Sequence, residues 1–544
     1  MGAVRGLPLR RLTKPELAVF VSGVASMGLQ ILALRVVVPQ FGSHIYTTGG
    51  VITVFLAALA LGYWRGGKRA ARYASNERLI WVLLLTAVYV AFLIFTRDLL
   101  LVYTAAIPVP SRYASLPAIV LLFGPPTYLL GFISPYAAEL SQKVGTGEAS
   151  GDVYAFGTAG SILGTAGTTF VLIPATSVEG IGLFFGLVLI ATALLITLPD
   201  PTLRPVAASV LVALLVLFAT VGSGAAGVDV RGDVVYQTET PYQQLEVIDS
   251  GDTRTMYLDG ARHSAMDLED PDRHVFAYTR YFHLPHLFAD DPDEIERVLF
   301  VGGGGYTGPK SFVERDENVT VDVVELDPEV TAAAESYFDL EESDRLTAHT
   351  GDGRSFLAET DETYDAIVLD AYRQDKVPFE LTTVEFMQLA ESRLSDDGVL
   401  VANVVSAPEG PASDFYRSQY ATMDEAFSQV YAFRTSDSSA IQNIELVATK
   451  DDGRLTQTTL QDRNDQREIG IDLADEVDYY VEDVETDDVP VLEDDRAPVD
   501  SLLDPMMGQR YVVEETGDGA DAPGERPRIA ASTAGYESAA GAVR

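Results

Sequence analysis

The sequence of 544 residues contains no cysteine, only six lysines and six histidines, and two tryptophans. Without cysteine the chain cannot form disulfides, bind zinc or iron–sulfur clusters through thiolates, or use a thiolate nucleophile. The histidines show no spacing typical of a metal site. His283 and His286, with Pro285 between them, are better explained by packing at a helix end. We therefore expect no metal.

Basic residues are scarce in the second half of the chain. Residues 1–228 hold fourteen Lys or Arg against eight Asp or Glu, whereas residues 229–544 hold 24 against 71. A polyanionic surface repels phosphates, so we expect no nucleic-acid partner. The spread of acidic residues and the preference for arginine over lysine resemble the proteome bias of salt-in halophilic archaea. An acidic binding surface is the alternative.

The first half contains apolar windows of about 18–23 residues, long enough to cross a bilayer core of about 30 Å. They lie at about 17–38, 48–64, 79–96, 115–137, 153–173, 179–198 and 203–222. A cleaved signal peptide would explain only the first window. The pattern predicts a polytopic domain in the cell membrane, with about seven spans and lipid as a partner. In the fifth window, Gly160 and Gly164 have the small-residue spacing of close helix–helix contacts.

Positive charge predicts the orientation of these spans. Four Lys or Arg residues precede the first span and five follow the second, whereas residues 39–47 contain no Lys or Arg. The N-terminus is therefore expected in the cytoplasm. Seven spans would place the acidic half outside the cell, but a nucleotide-like co-substrate requires it inside, so we expect the catalytic domain on the cytoplasmic side. The count is least certain over 79–107, which could form two crossings, and over 115–137.

The second half changes to short strands. The stretches YQQLEVIDSG and TRTMYLDG alternate apolar and polar residues around Ser250, Gly251 and Asp252, which predicts a β-hairpin. Strands and helices then alternate, as in a doubly wound parallel sheet. The predicted strands are 298–301, 319–325, 346–349, 364–369 and 399–404, and the predicted helices are 309–315, 328–337 and 382–394.

Candidate site residues follow the ends of these strands, where such sheets bind ligands. The first strand runs into VGGGGYTGP, a glycine turn that lets backbone amides approach a ligand. Glu325 ends the second strand about twenty residues later, where a carboxylate can accept both hydroxyls of a ribose. Asp352, beside Gly353, follows the third strand and could bind an adenine amino group. Asp370 ends the fourth strand and faces the centre of the cleft.

The glycine turn, VVELDPEV and GDGRSFL, preceded by TPYQQLEV and YLDG, together resemble the spermidine synthase family of polyamine aminopropyltransferases over about residues 235–450. The first half is similar to that of membrane-fused members in SGVASMGLQILALR and the glycine-rich span, as is the late EDDRAPVDSL. The resemblance implies an α-helical polytopic membrane domain followed by an α/β, class I methyltransferase-like Rossmann fold with a small N-terminal β-hairpin subdomain.

The resemblance also implies a reaction and its residues. An aminopropyl group would pass from decarboxylated S-adenosylmethionine, a co-substrate, to a small-molecule amine, with Asp370 as the catalytic base. Gln243 would contact the nucleoside, Glu325 the ribose and Asp352 the adenine. The nucleoside-binding set is Gln243, Gly302, Gly303, Gly304, Glu325, Asp352 and Gly353. Tyr278 and Asp375 are weaker candidates for the acceptor, and a homodimer is possible in this family.

The chain departs from the family pattern at several positions. Gly305 and Tyr306 replace the Asp of the usual GGGDGG turn, Tyr278 and Thr279 replace His and Glu of YHE, and Arg373 replaces the second Asp of DSTDP. An arginine there would suit the carboxylate of S-adenosylmethionine. A methyltransferase with S-adenosylmethionine as donor therefore stays an alternative, as does a transporter or sensor whose soluble domain binds a nucleoside or polyamine without turnover.

These patterns predict five regions. They are a transmembrane helical domain (1–228), a β-hairpin subdomain (229–285), a Rossmann-like catalytic domain (286–450), an acidic extension (451–513) and a disordered tail (514–544). In the extension, DDRAPVDSLL is an apolar-anchored segment that could pack back on the catalytic domain.

Overall fold

The apolar windows form long helices, and the alternating pattern of the second half forms two β-sheets. The computed structural model describes residues 12–41, 45–105, 107, 109–140, 146–198, 201–226, 232–372, 377–506, 509 and 511–517. It divides into two compact units, Met1–Val228 and Asp229–Arg544.

Nine described α-helices make up the first unit. They are α1 (Lys14–Phe41), α2 (Ile45–Tyr73), α3 (Asn76–Ala105), α4 (Leu116–Leu130), α5 (Ile133–Leu140), α6 (Thr146–Gly167), α7 (Ile173–Ala175), α8 (Val178–Thr197) and α9 (Leu203–Ala226). A π-helical turn, Thr168–Leu172, joins α6 to α7. Seven helical segments are long and apolar enough to cross a membrane: Lys14–Val38, Ile45–Tyr73, Asn76–Arg97, Leu116–Leu140, Ser150–Ala175, Val178–Thr197 and Leu203–Thr220. The predicted apolar windows are thus confirmed as helices, and 79–107 contributes one helix, not two.

Helices α1 and α6 pack backbone against backbone. A Cβ added at Gly160 would lie 2.0 Å from the Phe20 carbonyl oxygen, and one at Gly164 would lie 2.3 Å from that of Val24. Only glycine allows such an approach, because any side chain would push the two helices apart. The close contact predicted from the spacing of these glycines is confirmed.

The second unit begins with a four-stranded antiparallel sheet in the order β1 (Asp233–Glu239), β2 (Gln244–Ser250), β3 (Thr253–Leu258) and β4 (Ala261–Asp267). The predicted hairpin is β2 and β3, whose ends pair Ser250 with Thr253. Gly251 has φ +62° in the tight turn, where a residue without a Cβ is favoured. The predicted hairpin subdomain therefore contains two further strands, β1 and β4, one on each side of the hairpin.

An eight-stranded sheet follows, in the order β12-β10-β11-β9-β8-β5-β6-β7. Its strands are β5 (Arg297–Val301), β6 (Thr320–Glu325), β7 (Leu346–Thr350), β8 (Tyr364–Leu369), β9 (Leu394–Ser406), β10 (Gln429–Arg434), β11 (Gln442–Thr449) and β12 (Tyr480–Val481). The α-helices are α10 (Pro285–Phe288), α11 (Thr307–Arg315), α12 (Pro328–Tyr337), α13 (Gly353–Glu359), α14 (Val384–Ser392), α15 (Asp414–Asp424), α16 (Gln457–Gln466), α17 (Ala474–Asp478) and α18 (Val499–Leu503). Strands β5 to β9 pair in parallel, and β9, β11, β10 and β12 pair antiparallel. Strands β5 to β9 form the predicted Rossmann-like parallel sheet. The antiparallel edge formed by β11, β10 and β12 was not predicted.

Apolar side chains cover both faces of this sheet. Phe300, Val368 and Val401 point to one cluster, and Leu299, Ile367 and Leu400 to the other. Because successive strand residues alternate between faces, strands buried on both sides become continuous apolar runs. Burial of β5 and β8 on both faces explains the continuous apolar runs VLFV and AIVL in the sequence.

The C-terminal part is more ordered than the sequence suggested. Strand β12 lies in the predicted acidic extension and joins the main sheet. DDRAPVDSLL packs on the domain as expected: Asp494 forms an ion pair with Arg354 at 2.6 Å. The predicted disordered tail begins too early, because Thr516 N donates to the Val275 carbonyl and Ala277 N donates to that of Glu514. Residues 518–544 lie outside the described residues.

Candidate active site

The glycine turn after β5 lies at the carboxyl ends of the parallel strands and packs against the residue that follows β8. Gly302 has φ +101°, and a Cβ there would lie 2.5 Å from the Asp370 carbonyl oxygen. Asp370 N donates to the Val301 carbonyl at 2.9 Å. Glycine is therefore required at 302 by its φ and by the approach of the strand that carries Asp370.

Tyr306 turns away from the cleft. Its backbone is left-handed (φ 58°), its ring is fully buried, and its hydroxyl lies 2.8 Å from Thr331 Oγ1 on α12. At the neighbouring position, Gly305 N donates to Ser264 Oγ at 2.8 Å. Tyr306 thus fills the core behind the turn, and Ser264 is the polar side chain that meets the turn from β4.

Glu325 at the end of β6 binds backbone amides with both oxygens. Oε2 accepts from Gly303 N and Oε1 from Asp327 N, each at 2.9 Å. Burial raises the pKa of Glu325, and these backbone bonds oppose the shift. Since each carboxylate oxygen has a second lone pair, Glu325 both fixes the glycine turn and retains acceptor capacity toward the cleft.

Asp352 and Gly353 begin α13 at the same edge. Asp352 Oδ1 accepts from Ser355 N at 2.8 Å and so caps the helix. A Cβ at Gly353 would lie 2.4 Å from Val301 Cγ1, so the helix start packs directly on β5. Asp352 is therefore both a helix cap and part of the cleft wall.

Gln243 reaches the cleft from the turn between β1 and β2. Its Nε2 donates to Asp327 Oδ2 at 3.5 Å, and Thr240 Oγ1 donates to the same oxygen at 2.6 Å. The sequence places Asp327 just before α12, where the helix dipole alone accounts for a carboxylate. It does cap that helix, accepting from Glu329 N, but it is 1% exposed and also fastens the small sheet to the Rossmann-like domain.

Asp370 lies where two cavities meet. The larger, about 140 Å³, runs along the strand ends and is lined by Gln243, Gly302, Glu325, Asp352, Gly353 and Asp370 among others. The smaller, about 10 Å³, has room for roughly one water molecule and is lined by Gly302, Gly303, Ser264, Tyr278 and Asp370 among others. Five of the seven predicted nucleoside-site residues thus line the larger cavity, Gly303 and Tyr278 line the smaller one, and Gly304 lines neither.

Asp370 is a cleft carboxylate whose pKa is raised toward neutrality. Desolvation raises its pKa to about 7; the Asn403 hydrogen bond opposes this rise and the negative charge of Glu325 adds to it. Asn403 Nδ2 donates to Asp370 Oδ1 at 2.7 Å. A carboxylate that ionises near pH 7 is suited to accept protons at physiological pH.

Of the two residues predicted to bind the acceptor, Tyr278 and Asp375, the structure describes only Tyr278. Tyr278 is 7% exposed, lines the small cavity and donates from its hydroxyl to the His263 carbonyl at 3.4 Å. Thr279 instead points into the core, where its Oγ1 lies 2.7 Å from His274 Nδ1. Asp375 and Arg373 lie outside the described residues.

Carboxylates dominate the larger cavity. Its described lining includes Glu325, Asp327, Asp352, Asp370 and Glu380 but no lysine or arginine. In the part of the chain that the structure describes, no group of three or more His, Asp or Glu could hold a metal ion. Such a wall attracts an organic cation.

Sequence reasoning missed four residues behind Asp370. Asn403 accepts at Oδ1 from Asn443 Nδ2 at 2.7 Å, and Asn443 Oδ1 accepts from the Tyr511 hydroxyl at 2.8 Å. Glu445 is buried on the same strand as Asn443. Three of these residues, Asn403, Asn443 and Glu445, could have been noticed as polar residues inside the apolar runs VLVANVV and NIELVAT. A buried polar side chain in a strand is unusual and often has a functional role.

The second unit is thus a Rossmann-like α/β domain with an acid-lined cleft at the carboxyl ends of its parallel strands. The family model described as spermine/spermidine synthase domain matches residues 275–433. A polyamine aminopropyltransferase of Vibrio vulnificus is 32% identical over 217 residues, which cover 38% of this chain and 70% of that protein. The chain belongs to the polyamine aminopropyltransferase family.

Two further relatives show the reach of the similarity. A probable polyamine aminopropyl transferase of Bifidobacterium longum is 26% identical over 294 residues, covering half of this chain and 62% of that protein. The crystal structure of a probable spermidine synthase from Corynebacterium glutamicum has 21% identity and a TM-score of 0.38, covering 43% of this chain and 88% of that one. The family model lies entirely within the second unit.

Proposed function

We propose that the chain is a membrane-anchored aminopropyltransferase that uses decarboxylated S-adenosylmethionine and an amine acceptor. The family consists of aminopropyltransferases, which use this donor. The observation that carries the proposal is the cleft at Asp370, whose described lining holds five carboxylates and no lysine or arginine.

The charge of the cleft supports the decarboxylated donor. Decarboxylated S-adenosylmethionine carries a sulfonium and an ammonium and no carboxylate, so every charge on it is attracted by the wall. S-adenosylmethionine adds a carboxylate, which would meet Asp352 and Glu325 without a described cation to pair with. Arg373, which favoured the methyltransferase alternative, lies outside the described residues.

Asp370 would act as the base. An amine attacks the sulfonium-linked carbon of the aminopropyl group only after it has lost a proton, which Asp370 can accept when ionised. The new C–N bond forms as the C–S bond breaks, and the electron pair returns to sulfur, leaving methylthioadenosine. Glu325 and Asp352 would hold the nucleoside through its ribose and adenine, and Gly302 keeps the backbone close to it.

The first unit is proposed to lie in the cell membrane. Its seven candidate helices have mean hydropathies of 1.4 to 2.6, and large apolar side chains face outward, such as Phe170 (78% exposed), Phe218 (67%) and Leu203 (83%). In water this surface would aggregate, whereas in lipid it is solvated. The acidic surface of the second half is proposed as adaptation to high salt.

The described lining of a cavity in the helical unit does not favour polyamine transport. This cavity, about 340 Å³, is lined by hydroxyl groups of Ser22, Ser26, Tyr63, Ser134 and Ser161 among others, with no Asp or Glu in the described lining. A polyamine crossing a membrane needs a counter-charge because desolvating its ammonium groups is costly. An enzyme tied to the bilayer is therefore preferred over a transporter.

The test is calorimetric titration of the full chain in detergent and high salt with decarboxylated S-adenosylmethionine, S-adenosylmethionine and methylthioadenosine. We expect the decarboxylated donor to bind most tightly, and Asp370→Asn to retain donor binding but lose aminopropyl transfer. Binding of none of the three ligands would refute both enzyme proposals. Preference for S-adenosylmethionine would favour the methyltransferase.

A further inference from the structure

The last turns of α2 carry a stripe of cations on one outward face. Residues three and four apart share a helix face, and the four members of the stripe have this spacing and are all exposed: Arg65, Lys68, Arg69 and Arg72. The face of α2 that is buried at this end carries Gly62, Gly66 and Ala70 instead. The stripe is therefore directed away from the helices that α2 packs against.

A fifth cation lies at the start of α3. Arg78 is exposed, and its guanidinium carbon lies 4.6 Å from the centre of the Tyr73 ring at the end of α2. Residues 65–78 thus contain five Lys or Arg against a single acidic residue, Glu77. The five cations, Arg65, Lys68, Arg69, Arg72 and Arg78, are called the basic cluster below.

The basic cluster is not neutralised by the part of the chain that the structure describes. Among the described residues, none of the five side chains has a carboxylate as an ion-pair partner. Arg97, further along α3, does form an ion pair, with Glu179. Like charges that crowd one surface repel each other, so an anion from outside the chain would stabilise this arrangement.

Both tryptophans of the chain lie beside the basic cluster. Trp64 on α2 is 56% exposed and Trp81 on α3 is 45% exposed. Lys68 Nζ lies 3.8 Å from the centre of the Trp64 ring. One turn further from the cluster, each helix has an exposed leucine, Leu61 or Leu85. On both helices the outward surface therefore changes from leucine through tryptophan to cations, in the order of acyl chain, interface and headgroup in a lipid leaflet.

We propose that the basic cluster binds the phosphate headgroups of anionic phospholipids, whose acyl chains lie along Trp64, Trp81 and the leucines beyond them. This inference rests on the proposed membrane location of the first unit. Guanidinium and ammonium groups donate charge-assisted hydrogen bonds to phosphate oxygens. A choline headgroup adds a cation that the cluster repels, so zwitterionic lipid binds less well. A phosphate free in water lacks the acyl chains that the tryptophans and leucines contact.

The two tryptophans supply the measurement, because the chain has no others. The full chain in detergent micelles is titrated with phosphatidylglycerol or phosphatidylcholine whose brominated acyl chains quench tryptophan fluorescence on contact. We expect wild type to bind phosphatidylglycerol more tightly. Each Lys or Arg near the lipid surface contributes about fivefold, so Lys68→Gln with Arg72→Gln should weaken phosphatidylglycerol binding about 25-fold and leave phosphatidylcholine binding unchanged.

The matched control is Arg112→Gln with Arg204→Gln, which removes the same charge from two exposed residues elsewhere in the helical unit. It should keep the wild-type preference. The substituted residues are exposed, so all chains should fold, and the melting temperature in detergent checks this. If the Lys68 and Arg72 pair of substitutions lowers that temperature, Arg69→Gln replaces it, with an expected loss of about fivefold.

The outcomes separate the headgroup site from the membrane location. Equal quenching of wild type by both lipids, an unchanged preference after substitution in the cluster, or an equal loss in the control would refute the headgroup site while the membrane location stands. If neither lipid quenches, the membrane location fails and the headgroup site with it. Glycerol phosphate should not displace brominated phosphatidylglycerol, and displacement would assign the cluster to a soluble phosphate instead. Aminopropyl transfer is decided by its own experiment in every case.

Discussion

Asn403, inside β9, donates from Nδ2 to Oδ1 of Asp370, at the end of β8, across 2.7 Å. The bond stabilises the ionised form of Asp370 and opposes desolvation, which raises its pKa to about 7. Because the base must be ionised to accept a proton, activity should increase with pH up to this pKa and level off above it. A bound cationic donor favours the ionised form of Asp370. In the donor complex, the rising limb of the pH–activity profile should therefore lie at or below pH 7.

Asn403→Leu should move the rising limb of kcat/KM for the acceptor to higher pH. A hydrogen bond to a charged group is worth about 1.5–3 kcal/mol, and one pH unit corresponds to about 1.4 kcal/mol. The expected shift is therefore about one to two units. Asn318→Leu, at an exposed loop residue, is the control and should leave the profile unchanged. A limb that stays in place or moves to lower pH in Asn403→Leu would contradict this assignment.

Gly353→Ala should impair donor binding. The new Cβ would lie 2.4 Å from Val301 Cγ1, so α13 must move away from β5 and take Asp352 with it. We expect Kd for methylthioadenosine to increase by about 5- to 150-fold, corresponding to an overpacking cost of about 1–3 kcal/mol. Gly453→Ala is the control, because nothing lies within 4 Å of its added Cβ and it lines neither cavity. Equal effects of both substitutions would show that the contact with Val301 does not matter.

The parallel strands were predictable because strands buried on both faces are short, continuous apolar runs between glycine or acidic turns. Thus Glu325, Asp352 and Asp370 could be placed at one sheet edge from the sequence. The antiparallel edge was not predicted. Its strand β11 carries buried polar residues such as Gln442 and Glu445, which interrupt the apolar pattern.

Long-range partners also escaped prediction. Tyr511 is 68 residues from Asn443, to which it donates, and no local periodicity relates such positions. Asp327 looked like an ordinary helix cap because its second role depends on Thr240, 87 residues earlier. Local patterns therefore located the donor cleft, whereas the hydrogen-bond network behind Asp370 required the three-dimensional structure.

Gly160→Ala should destabilise the helical unit. The added Cβ would lie 2.0 Å from the Phe20 carbonyl oxygen, so α1 and α6 must separate. We expect a loss of about 1–3 kcal/mol, measured as a lower melting temperature in detergent. Gly167→Ala lies on the same helix with nothing within 4 Å of the new Cβ, and its better helix propensity should leave stability unchanged or slightly higher. A melting temperature that falls equally in both variants would rule out the close contact as the cause.

In the proposed membrane topology, the side on which the second unit lies depends on whether α4 and α5 cross the bilayer. Helix α4 alone has 15 residues, about 22 Å at 1.5 Å per residue, which is too short for a core of about 30 Å. The segment Leu116–Leu140 is therefore long enough to cross only if α5 continues in the direction of α4. Helix α4 contains Pro125 and Pro126 and is followed by a turn before the eight-residue α5. We propose that α4 and α5 enter and leave from the same side. Six crossings from a cytoplasmic N-terminus then return the chain to the cytoplasm before residue 229.

Reporters fused after residues 75, 113, 140 and 228 of otherwise native chains test this topology. We expect the reporter after 75 inside the cell, because basic residues flank that loop, and those after 113 and 140 both outside. The reporter after 228 should then be inside, where a cytoplasmic co-substrate is accessible. A reporter that is inside after 140 and outside after 228 would establish seven crossings. The cytoplasmic placement of the catalytic unit would then be wrong, while the donor-binding and acceptor experiments would still decide its chemistry.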